Sequence, residues 1–187
     1  FLGLILGSTF ISSTAFAAVD PEVSYILNTL LFLIGGFLVM WMAAGFAMLE
    51  SGLVTSKSVA TIAAKNIGLY SIAGLMFWFV GYNLAYGIPE GGFIGTFLPW
   101  SDASSIETGY SDGSDWFFQM VFCATTCSIV SGTMAERIKI WPFFLFCAIL
   151  AGIIYPIEMG WQWGGGWLSS AGFSDFAGST LVHAAGG

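Results

Sequence analysis

Residues 161–187 read WQWGGGWLSSAGFSDFAGSTLVHAAGG, and the rest of the chain is organised around this stretch. It opens with Trp161, Trp163 and Trp167 set around Gly164, Gly165 and Gly166. Three consecutive glycines let the backbone turn sharply and bring an indole face over the mouth of a pore, which a tryptophan of an ordinary interfacial belt would not need. At Ser174-Asp175 the character changes to an apolar, small-residue segment that predicts a helix. Asp175 stands at its N-cap position, where its carboxylate can accept the free N–H groups of residues 176–178. His183, the only histidine, then falls about two helical turns further in.

Composition sets the class of the scaffold behind this stretch. Hydrophobic residues make up 57% of the 187 and charged residues 8%, with a mean hydropathy of +0.85. Soluble domains carry about a quarter charged residues, so these values place the chain among all-α integral membrane proteins. Only four Lys and Arg residues stand against eleven Asp and Glu, a net charge of -7, which excludes a phosphate-binding surface and hence nucleic acid as a partner. Cys123, Cys127 and Cys147 lie inside apolar runs and read as small packing residues.

Residues 1–17 end in Ala15-Phe16-Ala17, the small-x-small pattern of a cleavable signal peptide, although no positive n-region precedes the apolar stretch; an uncleaved anchor is the alternative. Because the sequence opens on Phe1 and stops inside a helical pattern, a partial domain over 18–187 is expected. Uncharged apolar runs predict spans at about 25–49, 60–88, 115–135 and 140–157, the last ended by Pro156 and Glu158, with an incomplete fifth over 175–187. Gly68, Gly74 and Gly81 offer close helix contacts in the second span, and Lys65 is expected to snorkel to the interface. Lys57, Lys65, Arg137 and Lys139 all fall at the junctions of spans 1 with 2 and 3 with 4, whereas the 90–114 and 158–175 connections carry acids only. The positive-inside rule therefore puts those junctions in the cytoplasm and the mature N-terminus outside.

A titratable side chain at lipid depth must find partners in the bundle, so His183 is either a pore group or a core histidine bonded to a neighbouring helix. One histidine without HxxH or ExxH spacing makes no metal site, and no cofactor is implied. Phe118 and Phe122 lie one turn apart on span 3, beside a polar stripe of Gln119, Thr125, Thr126, Ser128 and Ser131. Such an aromatic pair reads as packing or as a gate. An indole face at Trp163 can hold a small cation with about 1 to 2 kcal/mol when partly desolvated. A membrane enzyme using His183 would need a second titratable partner at similar depth, which spans 1 to 4 do not supply, so an enzyme is not expected.

Trp163-Gly-Gly-Gly-Trp167, Asp175-Phe-Ala-Gly-Ser-Thr-Leu-Val-His183, Phe118-Gln119 with Phe122, and Gly132-Thr-Met-Ala-Glu136-Arg137 together resemble the ammonium transporter family, the Amt, Mep and Rh superfamily, and within it the Amt branch. Gly45-Phe-Ala-Met-Leu-Glu50-Ser-Gly52 and Lys65-Asn66 extend the resemblance over nearly the whole chain. It implies homotrimers of eleven-span subunits built from two inverted five-helix repeats, this chain being the first repeat with its last helix incomplete. It further implies Trp163 as the external cation-π site for NH4+, Phe122 as the outer phenyl of a gate with Phe118 beside it, His183 as a pore histidine and Asp175 as support for recruitment. NH4+/NH3 would be the substrate, the lipid bilayer of the plasma or inner membrane the setting, and a cytoplasmic PII-type regulatory protein a possible partner of the whole protein. An ammonium sensor on the same fold is the alternative.

Overall fold

The computed structural model describes residues 19–187, and the proposed leader at 1–17 lies outside them. The described residues form helices and connections, with no strand. α1 (Pro21–Leu53) begins where Asp20 accepts the Glu22 N–H at 2.9 Å and Pro21 occupies a first-turn position whose N–H would have no partner anyway. α2 runs over Val59–Met76, widens through a π turn at Phe77–Gly81 and continues as Tyr82–Tyr86. α3 is Asp112–Met134. α4 runs over Ile140–Ile149, passes a second π turn at Leu150–Ile154 and continues as Tyr155–Gln162. Two short helices follow, α5 (Trp167–Ser170) and α6 (Leu181–Gly186). Four segments, Pro21–Leu53, Val59–Tyr86, Asp112–Met134 and Ile140–Ser170, are long and apolar enough to cross a membrane.

α3 is the centre of the bundle and packs against α1, α2, α4 and α6. Its buried Val121, Cys123, Ala124 and Cys127 join Phe77 of α2 and Phe143, Cys147 and Tyr155 of α4 in one core. Gly68 and Gly81 do take close contacts, with Phe144 in one case and Phe77 and Pro156 in the other, while a Cβ on Gly74 would meet Met120 only at an ordinary 3.6 Å.

Two expectations are corrected. Pro156 does not end the fourth span: the π turn just before it shifts hydrogen bonding to the i−5 carbonyl, as Tyr155 N–H shows by donating to Leu150. The same pattern leaves the Ala151 carbonyl without the N–H that proline lacks, and the Cys123 thiol donates to it at 3.4 Å. Lys65 does not snorkel either. It is 4% exposed, 3.0 Å from the Glu50 carboxylate and donating to the Ser131 carbonyl at 2.8 Å, because α1 delivers a counter-charge to its own depth.

At the same end, the connections are latched together. Thr55 donates its N–H and its hydroxyl to Glu136 Oε1, at 3.1 and 2.6 Å. Glu136 holds a left-handed φ of 60°, and its carboxyl lies below the usual carboxylate range because the Thr55 hydroxyl, then that of Ser58, favours the anion.

Candidate functional site

The aromatic site is built outward from α3. Phe118 and Phe122 meet edge-on with centroids 5.1 Å apart and planes at 78°. Phe122 meets the Trp163 indole in the same manner, at 5.7 Å and 75°. Phe32 of α1 closes on Phe118 at 5.3 Å, and the next turn of α1 gives room, since a Cβ on Gly35 would come within 2.8 Å of the Phe118 ring. These rings border a cleft of about 670 Å³ that Leu31, Leu38, Val39, Tyr86, Gln119, Phe176 and Ala177 also line.

Trp163 is placed by two devices. The glycine run after it turns against the outer end of α2: a side chain at Gly164 would collide with the Ala85 carbonyl, and Gly165 takes a φ of +77°. The turn is tied down by Gly91 N–H donating to the Gly165 carbonyl at 3.1 Å and Trp167 N–H to that of Gly92 at 3.0 Å. Close approach to α2, more than the sharpness of the turn, is therefore what the glycines provide. The second device is the indole N–H, which donates to the Asp175 carbonyl at 2.6 Å.

Asp175 is not the N-cap of a helix starting at residue 176, and α6 begins only at Leu181. Its Oδ1 accepts the N–H groups of Gly178 and Ser179 at 2.9 and 3.1 Å, and its Oδ2 those of Thr180 and Leu181 at 2.8 and 2.9 Å. Folding four successive N–H groups onto one carboxylate requires a φ of +76° at Gly178, which no helix tolerates. Four backbone donors on one carboxylate suit its anionic form. Gly178 has a second duty, because a Cβ there would lie 2.8 Å from the Trp163 ring.

His183 is not brought to the aromatic trio. It lies on an exposed face of α6, while the opposite face, with Leu181, Val182 and Gly186, is buried and Gly186 sits on Ile129 and Thr126 of α3. The cleft and His183 thus occupy the same side-chain inventory predicted from the sequence but separate places in this chain. Among the described residues, no group of three His, Cys, Asp or Glu side chains is arranged to hold a metal ion.

With this geometry, the profile of the Ammonium Transporter Family matches residues 30–187. The chain belongs to the ammonium transporter family. It is 45% identical over 170 residues to "Ammonium transporter Amt2" of Archaeoglobus fulgidus, covering 83% of this chain and 35% of that protein. It is 34% identical over 192 residues to an "Ammonium transporter" of Aquifex aeolicus, covering 98% of this chain and 44% of the relative. Among solved structures, "Sensor Amt Protein" superposes with a TM-score of 0.81 at 33% identity, over 89% of this chain and 43% of that one. Candida albicans Mep2 gives 0.74 at 26% identity, over 88% and 38%. This ammonium transporter family chain therefore spans less than half the length of these relatives, and its all-helical bundle corresponds to the N-terminal repeat of their fold.

The cleft also has a border that the sequence alone does not announce: Phe32, Gly35 and Tyr86 line it from α1 and α2, and Gln119, a member of the polar stripe and of the Phe118-Gln119 motif, joins them. The available signal was the i, i+3, i+4, i+7 spacing of Asp115, Phe118, Gln119 and Phe122, which places all four on one face of α3.

Proposed function

We propose that this chain forms the outer recruitment site and one wall of an ammonium-conducting pore, completed by the remainder of the transporter. The continuous contact from Trp163 through Phe122 to Phe118 at the border of an apolar cleft carries this reading. An NH4+ ion that sheds water there gains cation-π attraction from the indole, on the order of 1 kcal/mol or more once desolvated. K+ and Na+ need oxygen ligands to replace their hydration shells, and the cleft wall offers few. Asp175 keeps Trp163 in place through its backbone carbonyl. Phe122, as the outer phenyl of a gate whose second phenylalanine belongs to the other repeat, separates the outer site from the deeper path, where His183 would meet the substrate once that repeat covers its exposed face. Charge placement supports a cytoplasmic Lys57–Arg137 end and an external N-terminus in a plasma or inner membrane. Homotrimer formation and a PII-type regulator would be properties of the whole protein.

A sensor is the second reading, favoured by the superposition on "Sensor Amt Protein". The test is growth on low ammonium of a strain lacking its own ammonium transporters, using the complete gene with and without His183→Ala and Trp163→Leu. Rescue by the parent and a defect in both variants is the expected result. A parent that reaches the membrane without rescuing growth would overturn transport in favour of sensing.

A further inference from the structure

Asp115 is a buried acid, 6% exposed, in the first turn of α3. Both of its carboxylate oxygens accept from neutral donors: Oδ2 from the Tyr82 hydroxyl at 2.7 Å and Oδ1 from the Gln119 amide at 3.2 Å. Accepting at both oxygens is the pattern of an ionised carboxylate. Among the described residues no cation answers it. Lys57, Lys65, Arg137 and Lys139 stand at the opposite end of the bundle, and among the described residues the one ion pair is Lys65 with Glu50. The charged neighbour at its own end is Asp112, another acid, in the same turn.

A buried anion without a counter-ion is costly unless a cation comes to it. The position of Asp115 says which cation can. It lies one turn before Gln119, about 6 Å along the helix axis, on the α3 face that also carries Phe118 and Phe122. Gln119 lines the cleft beside those rings and Trp163, and donation of its amide to Asp115 leaves Gln119 Oε1 buried without a partner. We infer that Asp115, acting through Gln119, is the counter-charge of the outer cation site: a positioning residue that draws a small N–H-bearing cation into the aromatic cleft. This rests on the recruitment site proposed above. The rings supply contact that varies little among small cations, whereas the anion behind them supplies long-range attraction and the amide oxygen an acceptor for an N–H.

The test is the concentration dependence of ammonium-evoked current in proteoliposomes of the full-length transporter, comparing the parent with Asp115→Asn, Asp115→Glu and Gln119→Leu. Asp115→Asn keeps the size and one acceptor oxygen but removes the charge. It should raise the half-saturating ammonium concentration about ten-fold, equivalent to about 1.4 kcal/mol, with the maximal current per reconstituted protein nearly unchanged. Asp115→Glu should restore most of that loss, and Gln119→Leu should raise half-saturation by a smaller factor. If Asp115 only ties α2 to α3, the neutral variant will lower maximal current and folded yield and leave half-saturation at the parent's value, which overturns the inference. Should Asp115→Asn fail to reach the bilayer, unchanged half-saturation in Gln119→Leu overturns it equally. A parent without ammonium current overturns the conducting reading on which this inference rests, and is recognisable because no variant need be compared.

Discussion

α1 and α3 are both long enough to cross a membrane, and the more apolar of the two is the one left outside. α1 buries only Gly36 and Glu50 and leaves Trp41, Met48 and Leu53 exposed, whereas α3 buries Thr125, Thr126, Ser128 and Ser131 at the centre of the bundle. In water this would be inverted. In lipid, apolar side chains gain nothing by leaving the solvent, so burial is allotted to small and polar residues that pack closely or need partners. Thr125, Thr126 and Ser128 find those partners one turn back on their own helix, at 2.8, 3.3 and 3.2 Å, and so present a methyl, methylene or hydroxyl surface that neighbours can approach. α1 packs along α3 through Gly36, Phe32 and Phe37 and is tied to α2 by the Glu50–Lys65 ion pair, while Trp41 and Leu53 stay exposed.

Breaking the ionic anchor should have the largest effect. Glu50→Gln leaves Lys65 buried without its counter-charge and is expected to cost about 3–5 kcal/mol, read as a fall in thermal midpoint of the detergent-solubilised protein. Pairing it with Lys65→Met should recover most of the loss, because the cost lies in the stranded charge and not in the missing attraction. Next comes the steric anchor. Gly36→Ala places a methyl 2.6 Å from the Phe117 ring and should cost about 1–3 kcal/mol, whereas Gly45→Ala, on the same helix with open space around it, should be neutral or slightly stabilising by the same assay. On α3, Thr126→Val keeps the shape and deletes a hydroxyl whose partner, the Phe122 carbonyl, is already inside a helix; a loss of about 1 kcal/mol or less is expected. The smallest effect belongs to Trp41→Leu, 73% exposed, which should change stability by less than about 0.5 kcal/mol in the same assay. A large loss there would show that α1 has a protein neighbour along that face.

The sequence made the membrane class and the family legible because both are carried by local signals: uncharged runs, a charge bias, and motifs such as Asp175 to His183. It placed Phe118 and Phe122 together for the same reason, since helical spacing brings them one turn apart. Contacts between helices were not legible. Nothing near Lys65 in sequence announces Glu50, which reaches it from another helix, so a snorkelling lysine was the natural expectation. Asp175 misled in a different way. An acid before a small-residue run is the usual mark of an N-cap, and only the left-handed Gly178 diverts the chain into a loop that wraps the carboxylate before the helix begins. Pro156 misled because a stop signal is cancelled by a π turn five residues long, for which no local composition rule exists.

Each π turn is one residue more than an α-helix of the same rise would hold, and the two turns, Phe77–Gly81 on α2 and Leu150–Ile154 on α4, face each other. Everything beyond them inherits the offset: Tyr82 and Tyr86 on one helix, Trp163 and its glycines on the other. Deleting a single residue from either turn would restore regular helix and rotate the outer part of that helix by about 100° relative to the inner part. The azimuth of the aromatic mouth is therefore recorded as an insertion in the register of two helices. A chain lacking one of the two would keep its sequence motifs, its length within one residue and its hydropathy, and yet aim its tryptophan at the wrong neighbour.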